Sequence, residues 1–168
     1  VTNKTDTHME AILSGNPALK DKTEQELTSS VDALASHTGM PSDMAKKASI
    51  ASANTAAINY LMNNPNTKAD TILPVLEQAK GKIPEQVYLE IKAKLDDRRV
   101  RDEGQEFAAT EATSIIAQNT VDIRKGDLTK LNAQIDEAIN KLPKDRQQWA
   151  RQSTDRLIKS ATLKADAS

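Results

Sequence analysis

The 168-residue sequence contains no cysteine, which removes disulfide cross-links, thiolate metal ligands and thiol nucleophiles together. Glycine and proline are scarce, at 5 and 6 residues, so collagen-like and turn-rich β classes are disfavoured. One Trp, one Phe and two Tyr are too few to build a stacking platform for single-stranded nucleic acid. No apolar run approaches the ~18 residues of a membrane span, and the polar opening (Val1, Thr2, Asn3, Lys4, Thr5, Asp6) is unlike an attached signal peptide. Neither sign of charge dominates: 23 basic and 24 acidic residues leave a formal net charge of −1. All seven Arg lie beyond residue 97, where they are interspersed with carboxylates. Phosphate binding needs uncompensated positive charge, so no nucleic-acid partner is expected. Nothing in the chain assigns a compartment.

What the sequence does hold is 23 Ala and long stretches of other helix formers. A chain of this length can bury about 68 to 70% of its unfolded surface. The expectation is a single all-α domain over 1–168, an irregular bundle of seven or eight short helices, with 1–22 as a loosely packed arm and 164–168 as a flexible tail.

Eight segments carry helical periodicity between Pro, Gly and Asn punctuation. The first spans about residues 7–14 and stops at Gly15, Asn16 and Pro17. The second is expected to open at Thr23, where Thr23-Glu24-Gln25-Glu26 fits a capping box, and to carry Leu27, Val31 and Leu34. The third, about 42–63, is apolar around most of its girth and is expected in the middle of the bundle. The fourth presents Ile72, Leu76 and Ala79. The fifth begins at Pro84 with Val87, Ile91 and Leu95, and Gly104 is expected to separate it from a sixth over about 105–123. The seventh has the cleanest pattern, with Asp127 as cap and Leu128, Leu131, Ile135, Ala138, Ile139 and Leu142 in a narrow stripe. Pro143 opens the eighth, which carries Trp149, Ala150, Leu157, Ile158 and Ala161.

At an offset of 59 residues, Ile72, Leu76, Ala79, Lys82, Ile83 and Pro84 align with Leu131, Ile135, Ala138, Lys141, Leu142 and Pro143. Two related three-helix units would explain the match, and so would coincidence among common helix residues. The segment Lys125-Gly126-Asp127-Leu128, its helix and Leu142-Pro143 resemble a tetratricopeptide hairpin. The aromatic and small-residue pattern of that family is absent at its 34-residue period, so no function follows from the resemblance. Met9-Glu10-Ala11-Ile12-Leu13-Ser14-Gly15 followed by Leu19-Lys20-Asp21-Lys22-Thr23-Glu24 resembles the actin-binding WH2 and β-thymosin pattern, a helix followed by an extended element. That resemblance implies actin contacts by Ile12, Leu13, Leu19 and Lys20. Asp21 interrupts the family's basic pair, and the spacing from Gly15 to Leu19 departs by one residue.

Catalytic signatures are missing: no phosphate loop, nucleophile elbow, His-Glu-x-x-His motif or calcium loop occurs. His8 and His37 lie near expected helix ends without a second His one turn away, so surface or capping roles are expected and no metal site or cofactor. The run 96–103 holds Arg98, Arg99 and Arg101 among acids, a self-neutralised helix end or a charged docking surface. Trp149 beside Arg146 is a core-edge anchor or a binding hot spot. Arg98, Arg99, Arg101, Arg146 and Trp149 are therefore the candidate partner-binding residues. The expected role is a non-enzymatic protein-interaction, structural or adaptor module, of the kind found in secreted or particle-assembled systems, with another protein as partner. The alternatives are a small-molecule-binding bundle or enzyme, and an actin-binding protein through residues 9–24.

Overall fold

The computed structural model describes residues 2–39 and 41–167. Helix accounts for 87% of the chain and no strand occurs among the described residues, an irregular helical bundle as the composition implies. The elements in chain order are α1 (Thr2–Ser14), α2 (Pro17–Thr38), α3 (Ser42–Asn63), α4 (Ala69–Ala79), α5 (Glu85–Phe107), a π segment (Ala108–Ala112), α6 (Thr113–Gln118), α7 (Thr120–Arg124), α8 (Thr129–Asn140) and α9 (Lys144–Ala167). The π segment joins α5 to α6 without a break, so the rods number eight. Where the composition predicts one domain, the chain divides into two compact units, residues 1–96 and 97–168. The division falls within α5.

In the first unit α1 packs on α2 and α3, and α3 packs on α4. Its larger core gathers Ile58, Ile72, Leu76, Ala79, Ile83, Tyr88, Ile91 and Leu95. A smaller cluster joins Ile12 to Ala53 and Ala57. In the second unit Phe107, Ala112, Ile123, Leu131, Ile135, Ile139 and Ala150 form one core, closed by half-buried Leu128, Leu142, Ile158 and Ala165.

Several elements depart from the periodicity reading. The α2 helix starts six residues before Thr23, because Asn16 caps it, accepting from the Leu19 N–H at 3.2 Å, and Pro17 occupies the first turn, where its missing N–H costs nothing. Thr23 is consequently a buried mid-helix residue. Residues 1–22 are no loose arm, since Ala11 and Ile12 belong to the core. Helix α3 touches α1, α2 and α4, as a middle helix does, but its girth is not enclosed: Ala53, Asn54, Ala57 and Ile58 are buried, and Met44 stands exposed. Alanine covers so little surface that a helix rich in it on all sides has no need to be enclosed on all sides. Gly104 does not end a helix but lies inside α5, buried. The tail expected at 164–168 is helical to Ala167, and Ala165 packs on the core. By contrast, α8 follows its pattern closely: Leu131, Ile135 and Ile139 are buried, and Asp127 accepts from the Thr129 N–H at 3.1 Å.

Candidate functional site

The residues singled out for partner binding meet, in part, where α5 passes α9 in the second unit. An ideal Cβ on Gly104 would come within 2.5 Å of the Trp149 Cβ and 2.9 Å of the Ala150 N. Only glycine allows that approach, and the approach is what brings the ends of two charged helices together. Glu103 accepts from the Arg146 Nε and pairs with Arg99 at 3.3 Å. The Arg146 Nη1 donates to both carboxylate oxygens of Asp145, at 2.7 and 2.9 Å. The bond from Glu103, then that from Asp145, raise the Arg146 guanidinium above its already high ordinary value. Arg101 pairs with Asp102 at 3.4 Å, and Arg98 is half-buried. Three of the five candidates, Arg99, Arg146 and Trp149, are thus brought together.

The chemistry open to this cluster is limited. Two guanidinium groups face two carboxylates, so the charges offset one another and hold the two helices in register as a clamp. Trp149, at 36% exposure, rests its stem against Gly104 and leaves part of its ring in solvent. The outer side of α9 continues from it: Arg156 and Leu163 follow at intervals of seven residues, both exposed, Leu163 by 60%. Seven residues are two helical turns, so Trp149, Arg156 and Leu163 form one line about 21 Å long, with Gln152 and Ser160 beside it.

Elsewhere, a cavity of about 360 Å³ is lined by Lys80, Gly81, Ile83, Glu85, Tyr88 and Leu89, with the Lys80 ammonium 5.5 Å from the Tyr88 ring centroid. Among the described residues no three His, Asp or Glu side chains converge as a metal site. No helix of the described residues is long and apolar enough to cross a membrane. The segment that a WH2 pattern needs extended, Leu19 to Glu24, lies within the helix α2, and Ile12 is buried.

One cluster escaped the sequence reading. His8 is fully buried, and its Nδ1 lies 2.8 Å from the Thr23 Oγ1. Its Nε2 is 3.9 Å from Glu24, which also receives the Lys82 ammonium at 3.1 Å. Two shifted boundaries hid it. With α1 opening at Thr2 instead of near residue 7, His8 sits mid-helix on the face of Ala11 and Ile12; with α2 opening at Pro17, Thr23 faces it instead of capping a terminus. The visible signal was the spacing of His8, Ala11 and Ile12, three and four residues apart on one face. Comparison of the chain with protein-family models, curated proteins and solved structures finds no match.

Proposed function

We propose that this chain is a non-enzymatic helical adaptor or structural module that binds another protein through the outer face of α9. The observation that carries the reading is the exposed line Trp149, Arg156, Leu163 at heptad spacing on a helix whose opposite side is already used for the core. Trp and Arg are the residue types most enriched where association energy concentrates, and an exposed helical stripe of this kind fits a groove or a second helix. The interhelix clamp at Glu103 and Arg146 supports the same reading, because it fixes the start of the stripe before any partner arrives, which lowers the ordering cost of binding. The partner is a protein, since mixed charge along α9 offers no uncompensated cationic track to a nucleic acid.

The test places a photoreactive residue at Ser160, beside the stripe, and at Ser29 on α2 as control, followed by crosslinking in extract of the source organism. A polypeptide captured from Ser160, absent from the Ser29 control and lost in Trp149→Ala/Leu163→Ser, is the expected outcome. The double variant should weaken the captured complex by more than tenfold, as truncating a Trp hot spot costs ~2 kcal/mol or more. Equal capture from both positions, or capture indifferent to the double variant, rules the α9 face out.

A further inference from the structure

The cluster around His8 plays no part in the proposed α9 face, and its hydrogen bonding can be assigned atom by atom. Thr23 has one hydroxyl proton, and it is committed to the Lys20 carbonyl at 3.0 Å. With that proton on the Lys20 carbonyl, the 2.8 Å contact to His8 has the imidazole Nδ1 donating and the Thr23 oxygen accepting. In the neutral ring the remaining nitrogen, Nε2, is a bare acceptor. It is buried without a hydrogen-bond partner, and the Glu24 carboxylate, another acceptor, lies 3.9 Å away. That carboxylate oxygen is itself held by Lys82 at 3.1 Å.

Taking up a proton at Nε2 would give the nitrogen a partner in Glu24, but only in competition with Lys82. The ionisable groups around the ring are Lys20, with Asp21 beside it, and Glu24 on α2, and Lys82 in the turn between α4 and α5. One turn back on α1, Lys4 is engaged by Glu26 of α2 at 3.7 Å. The side that α3 and α4 turn toward α1 is uncharged, being Ala53, Ala57 and Val75, and Gln78 of α4 is occupied by the Lys20 ammonium at 3.1 Å. A protonated His8 would thus be a third cation near the Glu24 carboxylate, beside Lys82 and Lys20, with its own ring buried.

We propose that His8 is an acid-sensitive latch, which holds α1 on α2 and α3 while the imidazole is neutral and lets α1 open locally when Nε2 takes a proton. Besides His8, α1 buries Ala11 and Ile12, the latter against Ala53 and Ala57, with half-buried Met9 and Leu13 beside them. A helix of 13 residues has little stability of its own in water, so loss of the latch opens the whole element. Opening uncovers Ala53 and Ala57 of α3 together with Val75, an apolar patch absent from the neutral form.

The direction of the linkage is fixed by the site. Burial, ahead of the opposing pull of Glu24 and together with Lys82 and Lys20, lowers the His8 pKa from its ordinary 6.5. A base whose folded pKa is depressed leaves the docked state intact above pH 6.5 and weakens it as pH falls from there to the folded value, by at most about tenfold per pH unit for one proton.

Hydrogen exchange of the full chain between pH 7.5 and 5, corrected for the pH dependence of intrinsic exchange, tests this. Protection of α1 should fall with acid while that of α8 does not. The imidazole resonance of His8 should titrate below its ordinary 6.5. In His8→Gln the acid loss in α1 should vanish. Glu24→Gln, which removes the one anion facing the ring, should deepen the loss and carry it to lower pH; this variant and the wild-type titration decide the matter if His8→Gln does not fold. Acid-independent protection of α1 in the wild type, a His8 titration at or above 6.5, or an acid loss retained in His8→Gln overturns the proposal.

Discussion

The hairpins α4–α5 and α8–α9 can be laid over one another by adding 59 to each residue number. Ile72 and Leu76 of the first correspond to Leu131 and Ile135 of the second, and all four are fully buried. Each hairpin turns through a Lys-apolar-Pro sequence, and α5 and α9 begin at corresponding positions, Glu85 and Lys144. The correspondence extends to residues that apolar periodicity did not single out. Glu77 of α4 pairs with Lys92 of α5 at 3.6 Å, and their counterparts Asp136 and Arg151 pair at 2.6 Å. An acid and a base fifteen residues apart, bridging two helices in both places, are harder to assign to coincidence than a repeat of Ile and Leu.

The difference lies in what the second helix brings to the core. In the first unit α5 inserts Ile91 and Leu95; in the second, the corresponding residues of α9 are Ala150 and Thr154, both buried. Small residues leave room on α9 for another element, and the room is used: α5 reaches it at Gly104, and Phe107, Ala108 and Ala112 are buried beyond. One hairpin therefore fills much of its interior with its own large side chains, joined by Ile58 of α3, whereas the other is built around small residues that admit α5. The same rule of close packing governs both.

The largest expected effect breaks or upholds the correspondence directly. Leu76→Ala and Ile135→Ala each remove a fully buried side chain from an equivalent place, and each should lower stability by ~2 to 5 kcal/mol, the transfer loss plus a residual cavity. Urea melts followed by helix-resolved hydrogen exchange would assign each loss to its own unit, with size-exclusion chromatography confirming unchanged association. An Ile135→Ala protein that melts as the wild type but changes its association would mean that the α8 stripe faces a partner.

Next in size is Gly104→Ala. The added methyl meets the Trp149 Cβ and a backbone nitrogen, neither of which can swing aside, so a loss of ~1 to 3 kcal/mol is expected, with the sole Trp emission shifting as α9 is pushed away. An unchanged melt and spectrum would show that α5 and α9 do not approach so closely. Thr154→Val has the opposite sign. The Thr154 hydroxyl is buried without a hydrogen-bond partner, and replacing it by a methyl of similar shape should raise stability by ~1 kcal/mol. A loss would mean that the hydroxyl has a partner, and that the position is not the apolar one its counterpart Leu95 implies.

How much of this was legible in the sequence depended on side-chain size. The α8 stripe was readable because Leu and Ile must be buried, and Leu131, Ile135 and Ile139 at steps of four leave one way to do it. Which side of α3 would be buried was not readable, because Ala at nearly every angle constrains nothing. Gly104 read as a helix stop because a glycine needed for close approach is indistinguishable, in one sequence, from a glycine needed to turn the chain. At the α5–α9 clamp, the residues Arg99, Arg146 and Trp149 were identified but not their junction, which depends on a crossing between segments more than forty residues apart. His8 was concealed by errors of about five and six residues in where α1 and α2 begin, since position along a helix decides which face a residue occupies.

The smallest effect separates the hairpins by pH. Tyr88 donates its hydroxyl to Glu77 at 2.7 Å, and this bond first, with Lys92 and Lys80 adding to it, holds the Glu77 carboxyl below its ordinary 4.5. A carboxylate with a depressed folded pKa contributes stability that is present above pH 4.5 and is lost as pH falls through the folded value. The corresponding residue of α9, Gln147, donates instead to the Leu142 carbonyl at 2.9 Å and has no part in the Asp136–Arg151 pair. Tyr88→Phe keeps the ring in the core but removes the donor, so the Glu77 carboxyl resonance should titrate closer to 4.5, with hydrogen exchange in α4 less sensitive to acid. Exchange in α8 should not respond. If Glu77 titrates in the variant as in the wild type, Lys92 and Lys80 depress its pKa without the hydroxyl, and the two hairpins share one ion-pair design with Tyr88 serving only to fill the core.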